Sequence, residues 1–335
     1  MKICLLGEYS DRLNEGYKNI ALNLSKALSE NHEVMRFNVK KMYSLGFWRQ
    51  VKQFKPQIAH YLTAPTVGSL IILKILSMNW PRTKTVASSL HPYSLDILRN
   101  SVLLKVVSML KPDLILVQSA EIEQTLKKIG FNTEFLPNGV DTERFTPVYR
   151  KTKEELREKY EIDKEKFVIL HVGHITRVRG LQILNTMQKQ DKNNQVLIVG
   201  SSYFKKDNDL YETLKNNGCT IWNSYFENIE EIYALADCYV FPVTKGNSIF
   251  MPLSVMEAMS CNLPVISTRF EGLDRAFEEG EGLMFADKEE DFYSKLKEVK
   301  NGAIKVNTRE KVLPYSWENV TKRLEDIYGA LLNEY

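Results

Sequence analysis

The chain has 335 residues, of which 44% are hydrophobic, and its formal net charge at pH 7 is +3. This length suggests two domains, and the apolar content supports a large core and excludes an intrinsically disordered chain. The first 150 residues hold 20 Lys and Arg against 12 Asp and Glu, whereas the remainder holds 25 against 30. The basic first half suits an anionic membrane surface or a phosphorylated acceptor, or is an ordinary solvated surface. Nucleic acid is not expected, because no dense basic cluster is interleaved with aromatic residues.

Four cysteines without CxxC spacing and five histidines without an HExxH motif argue against a structural metal site. The cysteines are predicted to be buried, reduced thiols of a cytoplasmic protein. No signal peptide is apparent, because Met1 and Lys2 lead directly into the strand-like run ICLLG. The longest apolar stretch, residues 67–80, contains Lys74 and is too short to span a bilayer, so it predicts a core helix.

Strand-like apolar runs alternate with helical runs along the first half of the chain. A helix is predicted over residues 16–31, where the apolar side chains recur on one face. Strands separated by helices require crossover connections, which give a parallel sheet covered on both faces. The predicted strands are residues 2–7, 32–39, 57–63, 84–90, 113–119 and 133–139.

The same pattern starts again after residues 146–166, which read as a linker with a short helix. The sequence therefore predicts two doubly wound α/β domains, over residues 1–148 and 149–315, with ligands at the carboxyl ends of the strands. Residues 316–335 predict one long amphipathic helix capped by Ser316. The strands predicted in the second domain are residues 167–173, 195–201, 219–224, 238–244 and 263–268.

Basic side chains follow the first strand of the second domain in the segment HVGHITRVRGL, residues 171–181. His174, Arg177 and Arg179 come between the end of this strand and the start of a helix. Fixed cations beside a helix N-terminus form an anion site, and a diphosphate would fit it. Surface arginines at a turn are the alternative.

A second phosphate site is predicted at the helix start in FMPLSVMEAM, residues 250–259. Pro252 suits the first helical turn, whose free N–H groups point outward toward a phosphate. Glu257 lies about one and a half turns further on, where a carboxylate can accept hydrogen bonds from two vicinal hydroxyls, as on a ribose.

Two features of the first domain are weaker signals. His91 follows a predicted strand in SSLHPYS and can exchange a hydrogen bond with a sugar hydroxyl. Gly16, in the first strand-to-helix loop, would let a backbone amide approach a ligand, although no GxGxxG fingerprint is present.

Four segments in order, LPNGVDTERFTP, HVGHITRVRGL, ALADCYVFPV and MPLSVMEAMSCNLPVIST, resemble the GT-B retaining glycosyltransferases of family 4. The resemblance covers nearly the whole chain. It implies two Rossmann-like domains with a deep cleft between them, and a C-terminal helix that crosses back to the N-terminal domain. It also implies metal-independent transfer, with retention of configuration, from a nucleotide-diphosphate sugar to a glycan, lipid-linked or small-molecule acceptor in cell-envelope synthesis.

The resemblance also implies roles for single residues. His91, Arg179 and Glu257 would be catalytic: His91 near the sugar, Arg179 at the family's lysine position beside the diphosphate, and Glu257 on the ribose. His174 replaces the family's arginine, and Arg177 would compensate for it. The other substrate-binding residues implied are Phe226 at the base, Gly16, and Met251 and Leu253 at the helix start.

The chain departs from the family pattern at one point. The acidic residue expected eight positions before Glu257 is Ile249, or Phe250 with a one-residue slip, and no Asp or Glu occurs between residues 238 and 256. Asn247, Ser248 and Phe250 are the expected replacements near the donor sugar.

Several alternatives stay open. A glycosyltransferase-like protein that binds a nucleotide sugar without turnover is motivated by the missing acid and by His174. An epimerase on the same fold would need acid and base carboxylates near the sugar, which an acid-free loop disfavours. A nicotinamide dehydrogenase is least favoured, because the glycine fingerprint with its following acidic residue is absent. No cofactor is expected, and peripheral contact of a cytoplasmic protein with an anionic membrane is predicted from the basic first half and from Phe47 and Trp48.

Overall fold

Two parallel sheets organise the chain. The computed structural model describes residues 1–10, 15–89, 107–201, 207–243, 250–269 and 271–333. They divide into two compact units: the first is Met1–Gly139, Ile249–Met251 and Trp317–Tyr335, and the second is Val140–Ser248 and Pro252–Ser316. The sequence-based boundary after residue 148 stays a prediction.

The first unit contains a parallel sheet with the strand order β2-β1-β3-β4-β5-β6. Its four inner strands are short and almost entirely buried, because helices cover both faces of such a sheet, whereas the two edge strands are partly exposed. Helix α3 begins with a capping box, in which Thr66 and Ser69 satisfy each other's backbone N–H groups. The strands are β1 (Lys2–Gly7), β2 (Glu33–Asn38), β3 (Ile58–Tyr61), β4 (Lys84–Ser89), β5 (Leu114–Val117) and β6 (Thr133–Phe135), and the helices are α1 (Gly16–Asn31), α2 (Leu45–Phe54), α3 (Val67–Asn79) and α4 (Ala120–Lys128).

The second unit repeats this design with the strand order β12-β11-β10-β7-β8-β9. Its apolar core lies between the sheet and helices such as α6 and α11. The strands are β7 (Phe167–Gly173), β8 (Asn194–Gly200), β9 (Thr220–Trp222), β10 (Cys238–Phe241), β11 (Val265–Thr268) and β12 (Leu283–Ala286). The helices are α5 (Arg150–Lys159), α6 (Gln182–Gln190), α7 (Asn208–Asn216), α8 (Ile229–Ala234), α9 (Leu253–Ser260), α10 (Glu271–Ala276), α11 (Glu289–Lys300) and α12 (Thr308–Val312).

The last helix, α13 (Trp317–Asn333), belongs to the first unit, as the resemblance implied. Its Tyr328 hydroxyl lies 2.5 Å from Nδ1 of His60 on β3, and His60 Nε2 lies 2.7 Å from Ser88 Oγ on β4. Burial lowers the pKa of His60 to about 3, so this ring is neutral. Trp317 packs over Gly139, where a Cβ would lie 2.4 Å from the indole, so only glycine fits beneath this ring.

The four cysteines are buried and unpaired. Among the described residues, no cluster of three or more His, Cys, Asp or Glu side chains could hold a metal ion. No helix in the described part of the chain combines the length and apolarity that crossing a bilayer requires.

Candidate functional site

The turn after β7 brings two strand ends of the second unit into close contact. A 3₁₀ turn over Arg177–Arg179 ends at Gly180, which has a φ of 64° in the left-handed region. A Cβ on Gly180 would lie 1.8 Å from the carbonyl oxygen of Pro242, just beyond β10. Only glycine permits this approach, which holds the basic turn against the carboxyl end of β10.

The two arginines of this turn have different environments. Arg179 is buried, and its guanidinium carbon lies 5.8 Å from the centre of the Phe241 ring at the end of β10. Arg177 is largely exposed and donates from Nε to Asp207 Oδ2 at 2.9 Å. Arg179 is therefore a fixed cation at the strand ends, whereas Arg177 is paired at the surface. His174, in the same turn, is half-buried.

Helix α9 begins close to the predicted position, with one difference. Pro252 has an extended ψ of 125° and is the residue before the helix, so that Leu253, rather than Pro252, starts the first turn. The carbonyl of Pro252 accepts from the N–H groups of Val255 and Met256. The N–H groups at the very start of a helix have no partner within it, which makes this end of α9 suitable for an anion.

The other end of α9 is fixed by a half-buried arginine. Arg309 donates from Nη1 to the carbonyl oxygens of Ser260, at 2.7 Å, and of Phe145, at 2.9 Å. The Ser260 hydroxyl also donates to the Phe145 carbonyl at 2.6 Å. A cation is favourable at a helix C-terminus, so this contact stabilises α9 and fixes where its N-terminus lies.

Glu257 on α9 is hydrogen-bonded to a tyrosine of α8. The hydroxyl of the fully buried Tyr233 donates to Glu257 Oε2 at 2.7 Å. Desolvation raises the pKa of Glu257 to about 7, while the Tyr233 hydrogen bond and the charge of Arg144 act in the opposite direction. Only Oε2 accepts from a described protein donor, so Oε1 has the capacity to accept from a ligand hydroxyl.

Tyr239 on β10 lies between the basic turn and α9. Its hydroxyl donates to the Val172 carbonyl at 3.3 Å, at the end of β7. Burial raises the pKa of Tyr239, Glu257 raises it further, and Arg179 lowers it. The ring centre of Tyr239 lies 6.3 Å from that of Phe241, which contacts Arg179, and 5.8 Å from that of Tyr233, which donates to Glu257. These ring contacts place Arg179 and Glu257 in one neighbourhood at the strand ends.

His171 is a polar residue of this neighbourhood that sequence reasoning missed. It is fully buried on β7, stacks on Phe241 and lies 2.9 Å from the Val240 carbonyl through Nδ1. Burial lowers its pKa to about 4, so the ring is neutral and Nδ1 carries the proton that the carbonyl accepts. Its Nε2 has no hydrogen-bond partner among the described residues. A histidine inside the apolar run FVILHVG was the available signal.

Phe226 lies in a group of three aromatic rings beyond β9. Its ring centre is 5.4 Å from that of Trp222 and 6.4 Å from that of Tyr160. Phe226 and Trp222 are both partly exposed. This group offers a flat apolar surface of the kind on which a base packs, and the predicted role of Phe226 stays a prediction.

The remaining predicted residues are in the first unit or outside the described residues. Gly16 is the first residue of α1. Phe250 is buried in a hydrophobic cluster with Leu70 and Val117, so its ring is part of the core. Met251 is also buried, and its carbonyl accepts from Asn138 Nδ2 at 2.7 Å. His91, Asn247 and Ser248 lie outside the described residues, and their roles stay predictions.

The fold is that of the GT-B glycosyltransferases, with two Rossmann-like α/β domains, and solved structures share it over almost the whole chain. Sucrose-phosphate synthase from Thermosynechococcus elongatus superposes with a TM-score of 0.77 at 18% identity, covering 99% of both chains. Anabaena Alr3699/HepE, solved in complex with UDP and glucose, superposes with a TM-score of 0.76 at 15% identity, covering 98% of this chain and 100% of the other.

Residues 152–315 match the model of the family described as Glycosyl transferases group 1. Among curated proteins, the sulfoquinovosyl transferase SQD2 of Arabidopsis thaliana is 27% identical over 305 residues, which covers 83% of this chain and 57% of the plant protein. The chain spans about half the length of such curated relatives. Apart from residues 249–251, the family match lies in the second unit, where Arg179 and Glu257 are found.

Proposed function

We propose that this protein is a glycosyltransferase that moves a sugar from a nucleotide-diphosphate sugar to a glycan, lipid-linked or small-molecule acceptor. We further propose that transfer retains the anomeric configuration and needs no metal ion. One observation carries the proposal: a buried cation, Arg179, and a tyrosine-bound carboxylate, Glu257, are linked through aromatic rings around Tyr239 at the strand ends of a domain that matches this family.

The chemistry of these groups suits a nucleotide diphosphate. Arg179 and the unpaired N–H groups at the start of α9 would bind the diphosphate, and the same contacts would stabilise the negative charge that develops when the sugar leaves. Glu257 Oε1 would accept from a ribose hydroxyl while Tyr233 holds Oε2. Because these interactions strengthen as charge builds on the leaving group, they would lower the barrier to transfer without a metal ion.

The test begins with binding. UDP, GDP and ADP sugars should be screened by thermal shift, because a ligand of the native state raises the melting temperature. The best donor should then be assayed for hydrolysis and for transfer, with and without EDTA. Proton NMR of the first product would report the anomeric configuration. Arg179→Ala should lose binding, while Arg177→Ala, a matched control that removes a surface arginine from the same turn, should keep most of it.

A binding protein without turnover is the second candidate. The acid-free segment from residue 238 to 256 and His174 in the basic turn favour it. Such a protein would show the same thermal shift with a nucleotide sugar but no release of nucleotide and no transferred sugar. Nucleotide release that depends on Arg179 would exclude this candidate.

A further inference from the structure

One segment of the first unit is rich in basic residues and contains no acidic residue of its own, although its Lys40 pairs with Glu8. Between residues 34 and 89 there are nine Lys and Arg and no Asp or Glu. This segment contains α2 and α3, which lie on the surface of the unit. Surfaces of soluble proteins normally mix charges of both signs, so this excess of positive charge creates a field that attracts an anionic partner.

Helix α3 is apolar on its outer face as well as on its inner face. Ile72, Leu73 and Leu76 pack in the core of the first unit. On the opposite side, Ile71, Ile75 and Met78 recur at positions i, i+4 and i+7, and all three are exposed. A surface helix normally carries polar residues there, so this stripe needs a specific explanation.

The start of α2 extends this apolar stripe. The Tyr43 hydroxyl packs against Gly68 in the first turn of α3, where a Cβ built on Gly68 would lie 2.5 Å from it. The rings of Trp48 and Trp80, which follows α3, stack with their centres 6.4 Å apart. The segment from Tyr43 to Trp48 therefore lies beside α3. Tyr43 and Leu45 are 63% and 84% exposed. The exposed residues Tyr43, Leu45, Ile71, Ile75 and Met78 are named here the α2–α3 surface.

Positive side chains border the α2–α3 surface. Leu45, Arg49 and Lys52 share one face of α2 at positions i, i+4 and i+7, and both basic residues are exposed. Lys74 is half-buried beside Ile71 and Ile75, where its aliphatic stem can cover apolar surface while its ammonium group reaches water. Exposed apolar side chains with lysines and arginines around them match the interface of a membrane that contains anionic lipids.

We propose that the α2–α3 surface docks on an anionic lipid membrane, with its apolar side chains at the acyl boundary and its basic residues on the headgroups. A second copy of this chain is a poorer occupant, because a symmetric contact would bring two positive surfaces together. The sequence suggested Phe47 and Trp48 as the membrane contact, but both pack inside the unit. Phe47 is fully buried, and Trp48 is half-buried against Trp80. The proposal does not depend on enzymatic activity.

The experiment measures flotation of the full chain with vesicles of phosphatidylcholine alone and of phosphatidylcholine with phosphatidylglycerol. Binding is expected only to the anionic vesicles, and it should weaken with added salt. The variant Ile71→Gln/Ile75→Gln/Met78→Gln should bind about tenfold more weakly or worse, because three apolar contacts are lost. The variant Arg49→Gln/Lys52→Gln should lose about 25-fold at low salt, because each basic residue near an anionic surface contributes about fivefold.

Matched controls change equally exposed residues of the second unit. Tyr149→Gln removes an apolar side chain that is 87% exposed, and Lys151→Gln/Lys215→Gln removes two surface charges. Both should bind like the unchanged chain, and melting temperatures should show that all variants are folded. Equal binding to neutral and anionic vesicles, no binding to either, or full binding by both α2–α3 variants would overturn the proposal. So would a dimer in size-exclusion chromatography that the α2–α3 variants abolish, since a second copy would then cover this surface.

Discussion

Replacing Tyr233 by phenylalanine isolates the role of the Glu257 carboxylate. The substitution removes one hydroxyl of a fully buried side chain, which donates to Glu257 Oε2 at 2.7 Å. The ring and its packing remain. Because the hydrogen bond favours the ionised carboxylate, its loss should raise the pKa of Glu257 above the present value of about 7.

The size of the effect follows from the strength of this contact. A hydrogen bond to a charged group contributes about 1.5–3 kcal/mol, and one pKa unit corresponds to about 1.4 kcal/mol, so the pKa should rise by about one to two units. At pH 7 about half of the Glu257 side chains are ionised in the unchanged protein, since the pKa is about 7. In Tyr233→Phe this fraction would be roughly one tenth to one hundredth. A ribose that requires the carboxylate would bind about five- to fifty-fold more weakly.

Calorimetric titration with UDP and GDP across pH 6 to about 9.5 measures this effect. Affinity for the unchanged protein should rise as the pH increases through about 7, and the rise should move to higher pH in Tyr233→Phe. The Glu257→Gln variant should bind the nucleotides weakly, and its affinity should not change with pH in this range. Tyr293→Phe is the matched control, because it removes a tyrosine–glutamate hydrogen bond to Glu289 on the surface of the same unit. Equal affinity of the unchanged protein and Tyr233→Phe at pH 7, with superimposable pH profiles, would refute the assignment of Glu257 to the ribose.

Ionisation of Glu257 also affects the free energy of unfolding. Glu257 has a pKa raised from 4.5 to about 7 in the folded chain, so the folded state holds a proton that the unfolded state releases between these values. Its contribution to stability is present below about pH 4.5 and is lost as the pH rises through about 7. Glu257→Gln should remove this slope from the pH dependence of the free energy of unfolding.

Three further substitutions test the site and the fold around it. Arg179→Ala should weaken nucleotide-diphosphate binding by about 1–3 kcal/mol, the range for charge-assisted hydrogen bonds, and unchanged affinity in calorimetry would contradict the diphosphate assignment. Gly180→Ala should lower the melting temperature and the yield of folded protein, because its Cβ would lie 1.8 Å from the Pro242 carbonyl oxygen; normal stability would mean that the turn is not held against β10. Tyr328→Phe should lower the free energy of unfolding by about 1–3 kcal/mol, because it leaves Nδ1 of the buried His60 without its partner; no change in chemical denaturation would contradict the packing of α13 in the first unit.

Much of the fold could be read from local sequence. Strands β1 and β7 have the predicted bounds, because a strand buried on both faces is a continuous apolar run that ends at a glycine. Helix α1 also has its predicted bounds, since its apolar residues recur with helical spacing. Strand β12 was not predicted: its four residues, Leu283–Ala286, are too few to show a period, and they become a strand by pairing with β11.

The candidate site could be predicted only in part. Arg179 and Glu257 were predicted from sequence because each follows a strand end or a helix start, and those positions have chemistry of their own. Their roles stay predictions. The local sequence does not show that Arg177 and Arg179 differ in burial, and only the structure separates the buried cation from the arginine that is paired with Asp207. The tyrosine that holds Glu257 was not predicted, because it lies 24 residues earlier in the chain.

The sequence alone determined most of the elements, their alternation and hence two parallel sheets, because these depend on periodic burial and on turn residues within a few positions of each other. Tertiary structure alone decided which groups meet. It pairs His60 with Tyr328 across 268 residues, raises the pKa of Glu257 through burial, and places Phe47 in the core while Leu45 faces water. These outcomes depend on distance and desolvation in three dimensions, and residues far apart in sequence carry no local pattern that records them.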